Sequence, residues 1–172
     1  MKFLITGGAG FIGHNVVRQL EALGHECFII DSVTTYGFVP KEELDYLKRE
    51  RKSRIRANIH HVDLRNHKDV SNFFNNFAGR VSAVIHLASF PRQKAVEQNP
   101  LWASEVMGTG LVNLLELTKN ARIPKFVYIS SSMVYGDFAD GVREDALCKP
   151  QGQYGIMKLM GEHLVKDYTR RN

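Results

Sequence analysis

A chain of 172 residues is long enough for one domain with a sizeable core and too short for two full ones. Its 44% apolar and 24% charged residues suit an ordinary globular fold, and no apolar run approaches the ~20 residues of a membrane span. The net charge of +5 owes much to Lys48, Arg49, Arg51, Lys52, Arg54 and Arg56, with Glu50 the one acid in that stretch. Without interleaved aromatics or a nucleic-acid signature, the run reads first as a solvated helix face and second as a site for an anionic ligand, not as a nucleic-acid surface. Cys27 and Cys148 make neither a metal pattern nor a disulfide framework. The apolar start runs directly into glycines, without the longer apolar region and cleavage site of an export signal, so a reducing cytoplasm is the expected compartment.

Apolar runs alternate with helical patterns from end to end. Lys2–Thr6 predicts a strand, and the next helix is expected to carry Ile12, Val16, Leu20 and Leu23 on its inner face until Gly24 ends it. Glu26–Ile30 predicts the second strand. Residues 32–56 form a longer polar connection with a helix near Lys41–Arg51. Ile59–Val62 predicts a third strand, Lys68–Phe77 a helix, and Val81–Leu87 a fourth strand apolar enough to be buried on both faces. One long helix over Leu101–Asn120, a fifth strand over Lys125–Ser130 and a last helix over Gln153–Arg171 complete the series, with Met157, Met160, Leu164 and Val165 facing the core. Strict alternation implies an α/β fold, a doubly wound parallel sheet of Rossmann type forming a single domain over 1–172. Ligands of such sheets bind at the carboxyl ends of the strands, where the strand order reverses.

The chemistry-bearing residues fall on those ends. Gly7, Gly10 and Gly13 stand between the first strand and its helix. Many turns hold three glycines, but strand–turn–helix context makes this a phosphate cradle: a tight turn, a close backbone approach, and a helix packed near the sheet with its N–H groups facing a pyrophosphate. Asp31 closes the second strand, where a carboxylate accepts both adenosine ribose hydroxyls and repels a 2′-phosphate. Ser32, Val33 and Thr34 follow it, with no arginine among them, which favours NAD over NADP. Asp63 and Leu64 end the third strand, where Asp63 either meets the exocyclic amine of adenine or caps the next helix. Tyr154 and Lys158, four apart, share one helix face. For a phenol of pKa ~10 to act as a base near neutrality its pKa must fall by about three units, roughly 4 kcal/mol, and one ammonium at ~4 Å supplies about that much at an effective dielectric near 20. The serines at 130–132 offer a hydroxyl at the fifth strand's end, or are merely turn formers. His60, His61, His67 and His86 show no metal-ligand spacing.

In order along the chain, Thr6-Gly7-Gly8-Ala9-Gly10-Phe11-Ile12-Gly13, Asp31, Asp63-Leu64, His86-Leu87-Ala88-Ser89, Gly108-Thr109, Ser130-Ser131-Ser132 with Tyr135-Gly136, and Tyr154-Gly155-Ile156-Met157-Lys158 resemble the extended short-chain dehydrogenase/reductase superfamily. Within it they are similar to the NAD-dependent epimerase/dehydratase branch. The resemblance implies that Gly7, Gly10, Phe11, Ile12, Gly13, Asp31, Asp63, Leu64, Leu87, Ala88 and Ser89 hold NAD. It makes Tyr154 the general base, Lys158 the residue that holds the nicotinamide ribose and lowers the tyrosine pKa, and Ser131 the hydroxyl partner. It further implies a nucleotide-diphosphate sugar as substrate and a homodimer built on the 101–120 and 153–171 helices.

Two departures stand out. Glu105 occupies the place, three before Gly108, where the family often has asparagine. The chain also stops after the Tyr–Lys helix, so the small substrate domain of the family is expected to be absent. Dehydratases of the family carry Asp-Glu where Ser132 and Met133 stand, and methionine transfers no proton. The expected reaction is therefore 4-epimerisation through a transient 4-keto sugar. The alternatives are a 4-keto-sugar reductase, a 4,6-dehydratase, and a non-catalytic NAD-binding fragment.

Overall fold

The computed structural model describes residues 1–34, 40–77, 81–138 and 140–171. Part of the expected 32–56 connection therefore lies outside the described residues. Five strands, β1 (Lys2–Thr6), β2 (Glu26–Asp31), β3 (Ile59–His61), β4 (Ala83–His86) and β5 (Phe126–Tyr128), form one sheet in the order β3-β2-β1-β4-β5, every pair parallel. The order reverses between β1 and β4, so the carboxyl ends of these two strands open the crevice that the sequence predicts.

The sheet is covered on both faces, as parallel strands require. Neighbouring residues of one strand serve opposite layers. Leu4, Phe28, Ile30 and Val84 pack with Val70, Phe73 and Phe74 of α3 (His67–Phe77) and Leu114 of α6 (Gly110–Asn120). Ile5, Cys27 and Ile29 pack on the other side against Val17 of α1 (Phe11–Ala22) and Ile55. A further cluster, with Phe90, Val96, Ala103, Met107 and Met157, joins α4 (Gln93–Gln98), α5 (Pro100–Ser104) and α7 (Gly152–Arg171).

Three expectations need correction. The inner face of α1 is Gly13, His14, Val17 and Glu21, while Ile12 is 58% and Leu23 72% exposed. The close approach of Gly13 to the turn before it sets the helix rotation, which overrides the apolar count. The expected helix over 101–120 is continuous but not regular, since a π turn lies within it. Asn99 has φ −137°, Pro100 starts α5, and residues Glu105–Thr109 form a π turn before α6, with α4 missed altogether. Proline at the first helical position lets a helix begin while preventing the previous one from continuing through it. Met160, expected in the core, is 36% exposed, and α7 buries Gly155, Met157, Lys158 and Gly161.

The polar helix α2 (Lys41–Ser53) buries none of its residues, which agrees with a solvated face over most of its length. Its far end is nonetheless tied down: the buried Glu21 carboxylate accepts the backbone N–H groups of Arg56 at 2.9 Å and Ala57 at 2.7 Å. Lys52 donates to the Ala57 carbonyl at 2.6 Å. These bonds fix where the basic run lies against the sheet. Among the described residues no helix is long and apolar enough to cross a membrane.

Candidate functional site

A cavity of about 560 Å³ runs along the carboxyl ends of the strands, from the glycine turn past Asp31 and Asp63 to Tyr154 and Lys158. Every residue expected to hold the cofactor lines it, though they come from widely separated positions. Gly7 has φ +71°, and a Cβ there would stand 2.7 Å from the backbone nitrogen of Ala88. At Gly13 a Cβ would stand 2.1 Å from the Gly7 carbonyl oxygen. Gly7 is thus required by contact and by conformation, Gly13 by contact. Helix α1 starts at the cavity with no side-chain cap and no acid in its first turn, so its first N–H groups and dipole remain available to an anion. Phe11 and Ile12, both exposed, form the rim.

Behind this turn, the Ala88 N–H donates to Thr6 Oγ1 at 3.1 Å, and Thr6 Oγ1 lies 2.7 Å from Nδ1 of the buried His86. Burial, with Lys158 nearby, pushes the His86 pKa down to about 3, so the ring is neutral and shares one proton with the threonine hydroxyl. This pair fixes the β4 end against β1 and holds Leu87 and Ala88 at the wall. Ser89 Oγ is buried there without a hydrogen-bond partner. Unpaired buried hydroxyls are costly, and ordered water or a bound group satisfies them.

Asp31 is held by two backbone amides: Ala9 N–H donates to Oδ2 at 3.0 Å and Val33 N–H to Oδ1 at 2.7 Å. Asp63 does not cap the next helix. Asn66 does, accepting from Lys68 N–H at 3.1 Å. Arg65 instead grips the Asp63 carboxylate, with Nη2 at 2.6 Å and Nε at 3.0 Å from Oδ2, and holds its pKa below the usual carboxylate range. The same guanidinium reaches Glu105 Oε2 at 3.0 Å and lies 5.5 Å from the centre of the Trp102 ring. Glu105, standing where asparagine is usual in the family, is therefore anchored by an ion pair at the start of the π turn.

At the other end, α7 brings Tyr154 and Lys158 to the tip of β5. Lys158 is 5% exposed and donates to the Ile129 carbonyl at 2.8 Å. Burial pushes its pKa down to about 8. The Lys158 ammonium lies 5.9 Å from the centre of the Tyr154 ring. The expected lowering of the Tyr154 pKa is not achieved by the protein's own groups: burial raises it, and a hydrogen bond with Ser131 offsets part of the rise. Ser131 also accepts Met133 N–H at 3.2 Å, while the serine lining the cavity is Ser130, whose hydroxyl donates to Glu162 Oε1 at 2.6 Å. Sequence reasoning missed Arg65, Trp102 and Arg51 as cavity residues, and of the three serines it chose Ser131 where Ser130 lines the cavity. Only the charge run around Arg51 gave any hint of them. His60 packs edge-on to Phe73 and tilted against Phe77, and no group of three ligating side chains gathers among the described residues.

A parallel sheet with a glycine turn, a strand-end aspartate and a helical Tyr–Lys pair on one crevice is a dinucleotide-binding fold of the Rossmann type. The model of the NAD dependent epimerase/dehydratase family matches residues 3–172, and the chain belongs to that family. It is 32% identical over its whole length to a UDP-glucose 4-epimerase of Erwinia amylovora, covering 50% of that protein. It is 35% identical to the protein CapI of Staphylococcus aureus, over 98% of the chain and 50% of that protein. Among solved structures, the UDP-glucose 4-epimerase of Thermus thermophilus in complex with NAD superposes with a TM-score of 0.82 at 30% identity, over 99% of this chain and 51% of that one. The UDP-glucuronic acid 4-epimerase of Bacillus cereus, in complex with UDP-glucuronic acid and NAD, gives 0.81 at 30% identity, over 99% and 52%. The chain thus spans about half the length of the relatives it matches.

Proposed function

We propose that this chain carries the NAD site and the acid–base group of a nucleotide-sugar 4-epimerase. The observation that carries the reading is the continuity of one cavity from the glycine turn to the Tyr154 ring. The relatives' names support the same reaction class.

The residues fit the dinucleotide. The uncapped start of α1 receives the pyrophosphate, Asp31 accepts the adenosine ribose hydroxyls, and Asp63, ionised by Arg65, accepts from the adenine amine. Ser89 Oγ gains the partner it lacks. Lys158 holds the second ribose. Bound NAD supplies the acceptor and donor of hydride at the sugar C4. Tyr154 takes the proton of the 4-hydroxyl as the sugar becomes a 4-ketone, Ser131 steadies the oxygen, and Tyr154 returns the proton once the ketone has presented its other face. Ser132 and Met133, at the start of a short 3₁₀ turn, offer no acid–base pair for elimination of the 6-hydroxyl. A homodimer is part of the proposal, supported by the exposed apolar side chains Leu101 on α5 and Ile156 and Met160 on α7.

Deuterium at C4 of UDP-glucose tests the reaction. The protein should yield UDP-galactose with the label still at C4, since the hydride leaves and returns without meeting solvent. A 4-keto-6-deoxy sugar as product, or loss of the label to water, would show a dehydratase or a different chemistry.

A further inference from the structure

The basic run around residues 48–56 is only partly solvated. Arg51, near the end of α2, turns toward the sheet and lines the cavity beside Asp31, Ser32 and Thr34. Its Nη1 donates to the Ala9 carbonyl at 3.4 Å, and the N–H of that same alanine donates to Asp31 Oδ2 at 3.0 Å. One residue of the glycine turn is therefore held between a carboxylate and a guanidinium. Arg51 has no carboxylate within 4 Å among the described residues. Its long bond to a neutral carbonyl leaves most of its charge and its other donors facing the cavity.

A strand-end carboxylate alone repels a phosphate on the adenosine 2′-oxygen, whereas an arginine nearby accommodates it. The residues directly after Asp31 hold no such arginine. The chain supplies one from α2 instead, on the far side of Ala9. The guanidinium is a fixed, always ionised fork suited to phosphate oxygens. Its attraction for a phosphate opposes the repulsion from Asp31 in the same cavity.

We propose that Arg51 is a cofactor-selectivity residue that lets this site accept NADP as well as NAD, resting on the reading of the cavity as a dinucleotide site. Nothing else about Arg51 demands a cation: α2 has no buried residue, and its end is fixed by the Glu21 and Lys52 bonds.

Calorimetric titration of the protein and its Arg51→Gln and Arg51→Lys variants with NAD and with NADP decides it. The parent should bind both, NADP the more weakly. Arg51→Gln should lose about tenfold or more in NADP affinity while NAD changes less than about threefold, because only the phosphorylated ribose needs the charge. Arg51→Lys should keep most of the NADP binding, and the NADP affinity should fall with added salt more steeply than that for NAD. Equal losses for both dinucleotides would reduce Arg51 to a prop for the glycine turn and overturn the proposal. A parent that binds NAD but not NADP, or an Arg51→Gln variant with unchanged NADP affinity, would overturn it too. Failure of the parent to bind NAD would instead bring down the dinucleotide reading itself.

Discussion

On the proposed function, replacing Tyr154 with phenylalanine should lower sugar turnover by about 10²–10⁴-fold while leaving NAD affinity within about threefold, the range expected when a general acid–base group is lost and its ring is kept. Tyr154 is the phenol at the inner end of the cavity, bonded to Ser131, with Lys158 one helical turn away. The polar side chains around it are otherwise engaged: Lys158 donates to the Ile129 carbonyl, Ser130 to Glu162, and the His86 ring is buried behind the wall. Burial raises the pKa of the phenol. On the proposed reading, the positive charge of oxidised nicotinamide, together with Lys158, would bring it down. Rates of sugar interconversion and calorimetric NAD affinity, measured on the same two proteins, separate the outcomes. A phenylalanine variant as active as the parent contradicts the assignment. A parallel collapse of NAD binding would reassign the ring to the cavity wall.

Lys158→Met should stabilise the NAD-free protein at pH 7 by on the order of 2 kcal/mol and abolish turnover. Lys158 is buried, and its pKa of about 8 stands below the 10.5 of a free lysine. At roughly 1.4 kcal/mol per pKa unit, keeping its charge in the fold costs about 3 kcal/mol. Losing the donor to Ile129 returns about 1 kcal/mol of that gain. The folded pKa is the lower one, so the unfolded chain binds more protons between the two values and the parent gains stability as pH rises from 8 toward 10.5. The advantage of the methionine variant is therefore full below pH 8 and shrinks through that window. Cys27, whose pKa burial pushes up to about 11, shifts both proteins alike and cancels in the difference. Urea unfolding of both proteins at about pH 7 and about pH 10 measures it. A variant that is less stable at neutral pH, or whose advantage grows with pH, contradicts the picture of a lysine held at a cost for use in the site.

The parts of the site set by neighbours in the chain are legible in the sequence. The glycine turn, Asp31 at a strand end and Tyr154 with Lys158 one turn apart each depend on a few consecutive residues, and the alternation of strand and helix implies the parallel sheet. What escapes depends on contacts across the fold. The rotation of α1 follows from how closely Gly13 meets the Gly7 carbonyl, not from the apolar count of the helix. The π turn at Glu105–Thr109 sits inside a stretch whose composition favours one regular helix, and α4, set off by the break at Asn99–Pro100, carries no local signal. Arg65 joins Asp63 to Glu105 over 40 positions, and Arg51 meets Ala9 over 42, separations that no local pattern reports. The Tyr154 pKa differs from expectation for a similar reason: burial, which raises it, depends on packing across the fold.

The most direct test of the cavity as the seat of this chemistry is calorimetric titration of the protein with NAD. Saturable binding of one NAD per chain is the expected result. A protein that melts cooperatively yet takes up no NAD would contradict it.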